Sequence, residues 1–284
     1  MDPLELPHEL FINTILLGGS PLEKVHAAAE AGFDSVELWT TDVELFDGTP
    51  AELQRTFGLV PIRITDFQVL RDFEGAPDDL REAARSRAID HLDTAVALGA
   101  PMILVAASTD DDSLPERIVD DLRWLADEAA SRGLRVGYES LAWSSKNTTL
   151  VEAWASVRDA DRDNLGIIID PFHVFVHGRT VADLDGIPVH KVFLVQLSDL
   201  GGTVDPDEVI EIARHHRMLP GDGVFDLDGV LEHLFRNGYT GPVGLEVFSD
   251  AMKADDPTVT ARRAMTSLLS VIQRAYRNIE SHAA

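Results

Sequence analysis

The sequence predicts an α/β chain closed into a (β/α)8 barrel, and three observations predict it. Short runs rich in Val, Ile and Leu alternate with longer amphipathic stretches. Eight such runs fit into 284 residues. Their near-continuous apolar character suits parallel strands buried on both faces. Eight strands alternating with helices over about 250 residues is the pattern of this barrel. An open doubly wound sheet has fewer strands and a glycine-rich phosphate loop after the first.

The eight predicted strands are residues 11–17, Ser35–Trp39, 60–65, Met102–Ala106, Arg135–Glu139, 166–169, Val192–Leu197 and 242–247. Helices are predicted over Pro21–Ala31, Asp78–Leu98 and the stretches 114–131, 149–159 and 257–279. The first starts after Ser20, an N-cap residue type, with Pro21 in its first turn. It stops at Gly32, as helices do at glycine. Leu17-Gly18-Gly19-Ser20 therefore reads as a turn and helix cap rather than a phosphate loop. The acidic run at Asp110, Asp111 and Asp112 reads as a solvated helix start. With no linker or repeat in view, residues 1–284 are expected to form one domain.

Composition excludes several functions. Acidic residues number 49 against 24 basic ones, a net charge of −25. Binding nucleic acid depends on neutralising phosphates with Lys and Arg, so no nucleic-acid partner is expected. No apolar run reaches the roughly 18 residues that cross a bilayer, so no membrane partner is expected either. The start, MDPLELPHEL, lacks the basic and apolar regions of a signal peptide. There is no cysteine, hence no disulfide, thiolate metal site or Cys nucleophile. A cytoplasmic location fits these features.

In such barrels the chemistry sits at the C-terminal strand ends. Strand five ends in Glu139, strand six runs into Asp170, strand seven carries Gln196, and strand eight carries Glu246. Taken singly, each carboxylate could equally cap a helix or pair with an arginine. Together they converge on one rim, where burial without a partner is costly. A divalent metal held by Glu139, Asp170, Gln196 and Glu246 would resolve that repulsion. All-oxygen ligands favour Mg2+ or Mn2+, with Co2+ or Zn2+ as alternatives.

His173 lies three residues past Asp170. It is expected at the rim as a general base or a further ligand, since imidazole titrates near neutrality. Two cationic spots stand against the acidic background: Arg71, in Arg71-Asp-Phe-Glu-Gly75, and the stretch Arg214-His215-His216-Arg217. A small anionic substrate would need such a planar donor. Trp39, Phe67, Trp143 and Phe248 are candidate pocket walls or packing residues. The final helix is amphipathic and packs on the barrel or on a second copy in a homo-oligomer.

These residues carry a resemblance. The whole chain resembles the xylose-isomerase-like TIM-barrel superfamily of sugar isomerases, epimerases, inosose dehydratases and a repair endonuclease. Within it the sequence is most similar to the bacterial 3-dehydroshikimate dehydratases. The shared segments are Gly32–Leu38 (GFDSVEL), RDFEG from Arg71, GYESLAW from Gly137, DPFH from Asp170, VQLSD from Val195 and RHHR from Arg214. The resemblance implies the Glu139, Asp170, Gln196 and Glu246 metal site, with Arg71, His173, His216 and Arg217 around a small anionic polyhydroxylated keto substrate. Glu139 and His173 would act on the substrate's protons, with His173 the first choice as base. The implied reaction is enolisation and loss of water, giving protocatechuate. The alternative is a ketose isomerase, epimerase or inosose-type dehydratase on the same barrel, where Glu139 and Glu246 would shuttle a proton. One departure stands out: Ala213 takes the place of a serine that touches substrate in those dehydratases. Some of them also carry a second, dioxygenase-like domain.

Overall fold

The computed structural model describes residues 6–283. Residues 1–5, which belong to the acidic N-terminal start, and residue 284 lie outside the described residues. Eight parallel strands close into a barrel in sequence order: β1 (Leu10–Asn13), β2 (Ser35–Trp39), β3 (Arg63–Leu70), β4 (Met102–Ala106), β5 (Arg135–Glu139), β6 (Leu165–Ile169), β7 (Val192–Leu197) and β8 (Val243–Leu245). Closure comes from β1 pairing with β8, Phe11 opposite Gly244 and Ile12 opposite Leu245. The (β/α)8 fold is thus the observed one.

The principal outer helices are α1 (Pro21–Ala31), α4 (Asp78–Leu98), α5 (Pro115–Ser131), α6 (Leu150–Ala160), α9 (Leu227–Arg236) and α11 (Pro257–Ala283). Shorter helices complete the connections between strands: α2 (Thr40–Glu44) and α3 (Pro50–Phe57) between β2 and β3, α7 (Pro171–Phe175) after β6, α8 (Val209–His215) ahead of α9, and α10 (Asp250–Lys253) ahead of α11. Ser20 caps α1 through a capping box with Glu23, and Gly32 ends it at φ 92°. That left-handed conformation carries little cost only in glycine. No helix among the described residues is long and apolar enough to cross a membrane.

Alternation along each strand divides the residues between two cores. Ile103, Val105, Val136 and Tyr138 face the helices, while Phe11, Met102, Leu104, Ile168 and Leu194 fill the barrel interior. Two strand glycines make that filling feasible. A Cβ at Gly244 would stand 2.2 Å from the Phe11 carbonyl oxygen, and one at Gly137 2.3 Å from Ile168 Cδ1. Above this apolar plug, towards the C-terminal strand ends, the inward positions turn polar.

The sequence and the structure part in a few places. β1 is shorter than predicted because Asn13 accepts a hydrogen bond from the Ile15 amide and starts a 3-10 turn over Thr14–Leu16. β3 lies later than residues 60–65. Its inward residues Asp66 and Gln68 are polar, and they broke the apolar run. Asp110, Asp111 and Asp112 form a turn ahead of α5, with the Asp112 amide bonded to Asp110 Oδ1, rather than the helix start itself.

Candidate active site

Five carboxylates gather at the C-terminal mouth: Glu37, Asp66, Glu139, Asp170 and Glu246. All are buried, and Gln196 is buried among them. Among the described residues the one arginine buried with them is Arg217, 3% exposed. Its Nη1 donates to Asp170 Oδ2 at 2.6 Å and approaches Glu246 Oε2 at 3.3 Å. Its guanidinium lies over the Phe172 and Phe248 rings, 4.3 and 5.0 Å from their centroids. One cation against five carboxylates leaves the cluster short of positive charge.

Burial and crowding raise the affinity of these carboxylates for protons. Burial pushes Glu37 and Glu139 well above the usual carboxylate range, and neighbouring acids add to it: Asp66 and Glu246 for Glu37, Glu246 and Asp170 for Glu139. Burial raises Asp66 to about 8 and Glu246 to about 7; for Glu246, Arg217 opposes the rise. Asp170 rises as well, mainly through burial, with Arg217 again opposing. Burial and like charge are the expected causes of such shifts.

Hydrogen bonds fix how the amides point. The Ile15 amide donates to Asn13 Oδ1 at 2.9 Å, so Asn13 Nδ2 must face the acids, Glu246 at 3.2 Å and Glu37 at 3.4 Å. Gln196 Nε2 donates to both Glu37 oxygens, at 2.9 and 3.1 Å. Gln196 Oε1 is therefore turned away and has no hydrogen-bond partner among the described residues; Glu139 Oε1 and His173 Nε2 have none either. Asp66 Oδ1 and Oδ2 and Gln68 Nε2 are unpartnered as well. Buried polar atoms are ordinarily paired, so this group of unpaired atoms at one site calls for an explanation. Oxygens of this kind on strand-end carboxylates and an amide suit a hard divalent cation. Glu139, Asp170 and His173 offer ligand atoms within 4.8 Å of one another, a buried group that could hold a metal ion.

His173 carries a further constraint. The Ala142 backbone amide donates to its Nδ1 at 3.1 Å. A backbone N–H can only donate, so the neutral ring keeps its hydrogen on Nε2. Burial, then Arg217, holds the imidazole well below its usual pKa, so the ring is neutral. Nε2–H points at Asp170 Oδ2, 3.5 Å away, and Glu139 Oε1, 3.8 Å away. Proton abstraction or ligation through Nε2 needs a lone pair there, which this tautomer lacks. His177 Nε2 donates to the Ala142 carbonyl at 2.7 Å, so both histidines grip the loop after β5.

The mouth opens into a cavity of about 470 Å3, lined among others by Trp39, Arg71, Glu139, Trp143, Arg214 and Phe248. That suits a small cyclic ligand. Arg71, Glu139, His173, Arg217 and Glu246 all reach it. His216 does not. Its side chain is 61% exposed and turns to Glu211, 3.8 Å away. Trp39, Trp143 and Phe248 are walls, whereas Phe67 is core, stacked 4.3 Å from His91. Asp199 is structural. It accepts from the Leu200, Gly221 and Phe225 amides at 2.8, 2.9 and 3.0 Å and so shapes the turn that follows Arg217.

Reading strand ends for ligands missed Asn13, Glu37 and Asp66. Glu37 was within reach of the same logic, since it is the one carboxylate in an otherwise apolar strand. Arg214 was seen in the RHHR run without being assigned a position.

Comparison with known proteins agrees with this architecture. Residues 25–270 match the family model described as xylose isomerase-like TIM barrel. The chain is 39% identical over 274 residues to 3-dehydroshikimate dehydratase of Pseudomonas aeruginosa and 36% identical over 271 residues to that of Pseudomonas putida. Each alignment covers 95% of this chain and 42% of the relative, so the chain spans less than half the length of these curated relatives. A solved "xylose isomerase-like TIM barrel/4-hydroxyphenylpyruvate dioxygenase fusion protein" superposes with a TM-score of 0.92 at 35% identity, over 97% of this chain and 44% of that one.

Proposed function

The chain belongs to the xylose isomerase-like TIM barrel family, and from that premise we propose that it is a 3-dehydroshikimate dehydratase, forming 3,4-dihydroxybenzoate (protocatechuate) and water. The observation that carries the reading is the pair of unpartnered atoms Glu139 Oε1 and His173 Nε2, on residues that line a cavity also holding arginines, with the unpartnered Gln196 Oε1 buried among the same acids. They offer acceptors for a cation, a donor for a substrate oxygen and charge for a carboxylate. The identity to the two Pseudomonas dehydratases supports the choice of substrate.

Glu139, Asp170, Gln196 and Glu246 would hold a divalent cation, Mg2+ or Mn2+ by their oxygen chemistry. Bound there, it would supply Lewis-acid polarisation of the ketone. The remaining work falls to side chains. Ionised once the charge of the acidic cluster is balanced, Glu139 takes the proton on the carbon next to the ketone, since no donor among the described residues occupies its Oε1. The neutral His173 donates its Nε2–H to an oxygen on which charge develops, holding it without giving the proton up. Glu139 then returns its proton to the departing β-hydroxyl, which leaves as water. Transfer of a ring proton to the ketone oxygen completes the aromatic ring. Arg217 stays below, balancing Asp170 and Glu246 rather than meeting the substrate's carboxylate.

The test is to strip the protein of metal, reload it with Mg2+ or Mn2+, mix it with 3-dehydroshikimate and follow ultraviolet absorbance. Metal-dependent appearance of the aromatic acid is expected. No product with either metal would sink the dehydratase reading and move the search to ketoses and inososes.

A further inference from the structure

Three arginines line the cavity, and Arg217 alone among them has a carboxylate partner among the described residues. Arg71 follows directly on β3, and Arg214 lies in the last turn of α8. In a chain with 49 acidic and 24 basic residues, two arginines on one cavity that form no ion pair of their own among the described residues are left open to an anionic ligand.

Each guanidinium rests on a tryptophan instead. Arg71 Cζ is 5.2 Å from the Trp39 ring centroid and Arg214 Cζ is 6.0 Å from that of Trp143. Stacking of this kind holds a planar guanidinium while leaving its N–H edges free to bind. Trp143 also meets the His173 ring edge-on at 5.1 Å, so the Arg214 platform adjoins the acidic face. The Arg71 pKa is lowered by burial first and by the Arg214 charge second, so the two guanidinia sense one another.

The Arg71 loop is pinned from beneath. Asp72, at φ 46°, accepts through Oδ1 from the Thr109 amide and hydroxyl at 2.8 and 3.0 Å. Glu74 Oε1 accepts from the Ser108 amide at 2.6 Å and the Tyr138 hydroxyl at 2.8 Å. Gly75 admits no side chain, since a Cβ would sit 2.2 Å from Ser113 Oγ. A receptor arm fixed before the ligand arrives loses less entropy on binding.

We propose that Arg71 and Arg214 together receive the carboxylate of the substrate, across the cavity from the Glu139, Asp170, Gln196 and Glu246 face. The pocket is thereby selective for a cyclic hydroxyketone that carries an acid over a neutral sugar. This rests on the dehydratase reading only for which end of the substrate meets the acidic face. Arg214 is a specificity residue and takes no part in bond making.

The test uses the full metal-loaded chain and two probes of the same diol, 3,4-dihydroxybenzoate and catechol, which lacks the carboxylate. Binding is followed by tryptophan fluorescence, with circular dichroism to check the fold. Wild type is expected to bind the acid roughly ten- to hundredfold more tightly. Arg214→Gln should lose roughly tenfold or more for the acid and nothing for catechol, and Arg214→Lys should recover part of it. The variant should also raise KM for 3-dehydroshikimate more than it lowers kcat. Equal losses for both probes, no loss for the acid, or a wild type that does not prefer the acid would each overturn the receptor. If wild type fails to turn over 3-dehydroshikimate yet prefers the acid through Arg214, the dehydratase reading falls and the receptor stands.

Discussion

His8 and His173 are both buried imidazoles, one at each end of the barrel, and their surroundings treat them differently. His8, just ahead of β1, donates from Nδ1 to the Gly241 carbonyl at 3.1 Å and accepts at Nε2 from the Tyr276 hydroxyl at 2.8 Å. It also stacks 4.4 Å from Phe235. Each polar atom of that ring has a partner. His173, just beyond β6, has a partner at Nδ1 and none at Nε2. Burial lowers the pKa of both. Burial by itself therefore does not separate a structural histidine from a working one, and neither does an open ring nitrogen, since His91 Nε2 is unpartnered in the core beside Phe67; an open nitrogen on a residue that lines the mouth cavity does.

Substitutions can break that contrast, and the largest effect is expected at the mouth. Glu139→Gln should lower turnover of 3-dehydroshikimate by about a thousandfold, within the usual range for losing a proton-transfer group. Thermal unfolding of the metal-free variant should occur at or above the wild-type temperature, because one of five crowded acids is gone. A large drop in that temperature would show Glu139 to be structural. His173→Ala should cost about a hundredfold in turnover while metal content, read by elemental analysis, stays at the wild-type level. Metal lost along with activity would make His173 a ligand and overturn the tautomer argument.

Arg217→Met should destabilise the metal-free protein by about 3–5 kcal/mol in urea unfolding, since Asp170 and Glu246 would lose their buried counter-charge. An unchanged midpoint would mean that protonation of the acids already makes the arginine dispensable.

The acids also set a pH dependence whose sign is opposite to that of an ordinary carboxylate pair. Glu246 and Asp66 titrate at about 7 and about 8 in the fold, against roughly 4 in an unfolded chain. The folded state holds more protons between those limits, so its stability falls as pH rises. Without metal, the unfolding temperature should decline from pH 5 to pH 9. Added Mg2+ or Mn2+ should restore it most at the alkaline end, and calorimetry in buffers of different ionisation enthalpy should record proton release on binding. A flat profile without metal would mean that the five acids are balanced by other means.

The smallest effect is expected at the other end of the barrel. His8→Phe should cost about 1–3 kcal/mol through the partners it leaves unpaired, with kcat per folded molecule unchanged. Altered kcat would erase the distinction between the two ends.

Much of this was legible in the residue order. β2, β4, β5 and β7 fall on the predicted runs because their helix-facing residues, such as Val36 and Leu38, Ile103 and Val105, Val136 and Tyr138, Val195 and Leu197, are apolar. β3 was displaced because Thr65, Asp66 and Gln68 look like a loop until a barrel interior surrounds them. α8 was hidden in the RHHR run because seven residues give too short a period to read. Glu139, Asp170, Gln196 and Glu246 could be picked out because a polar residue at the end of an apolar strand is conspicuous. The assignment of Arg217 and His216 beside the substrate was not settled by their adjacency. They are neighbours in sequence, yet one is buried under the acids and the other faces solvent.

What the sequence determined by itself was the alternation, and through it the barrel and the rim on which chemistry can sit, because period and burial are local properties of a chain. What only the tertiary structure decided was the state of each polar atom. The Ala142 amide sets the proton on His173, Glu37 holds Gln196 Nε2 and leaves Gln196 Oε1 unpartnered, and two tryptophans carry Arg71 and Arg214. Those choices depend on groups from separate segments meeting, within about 3 Å for the hydrogen bonds and at 5.2 and 6.0 Å for the stacked arginines, a condition that no single segment contains.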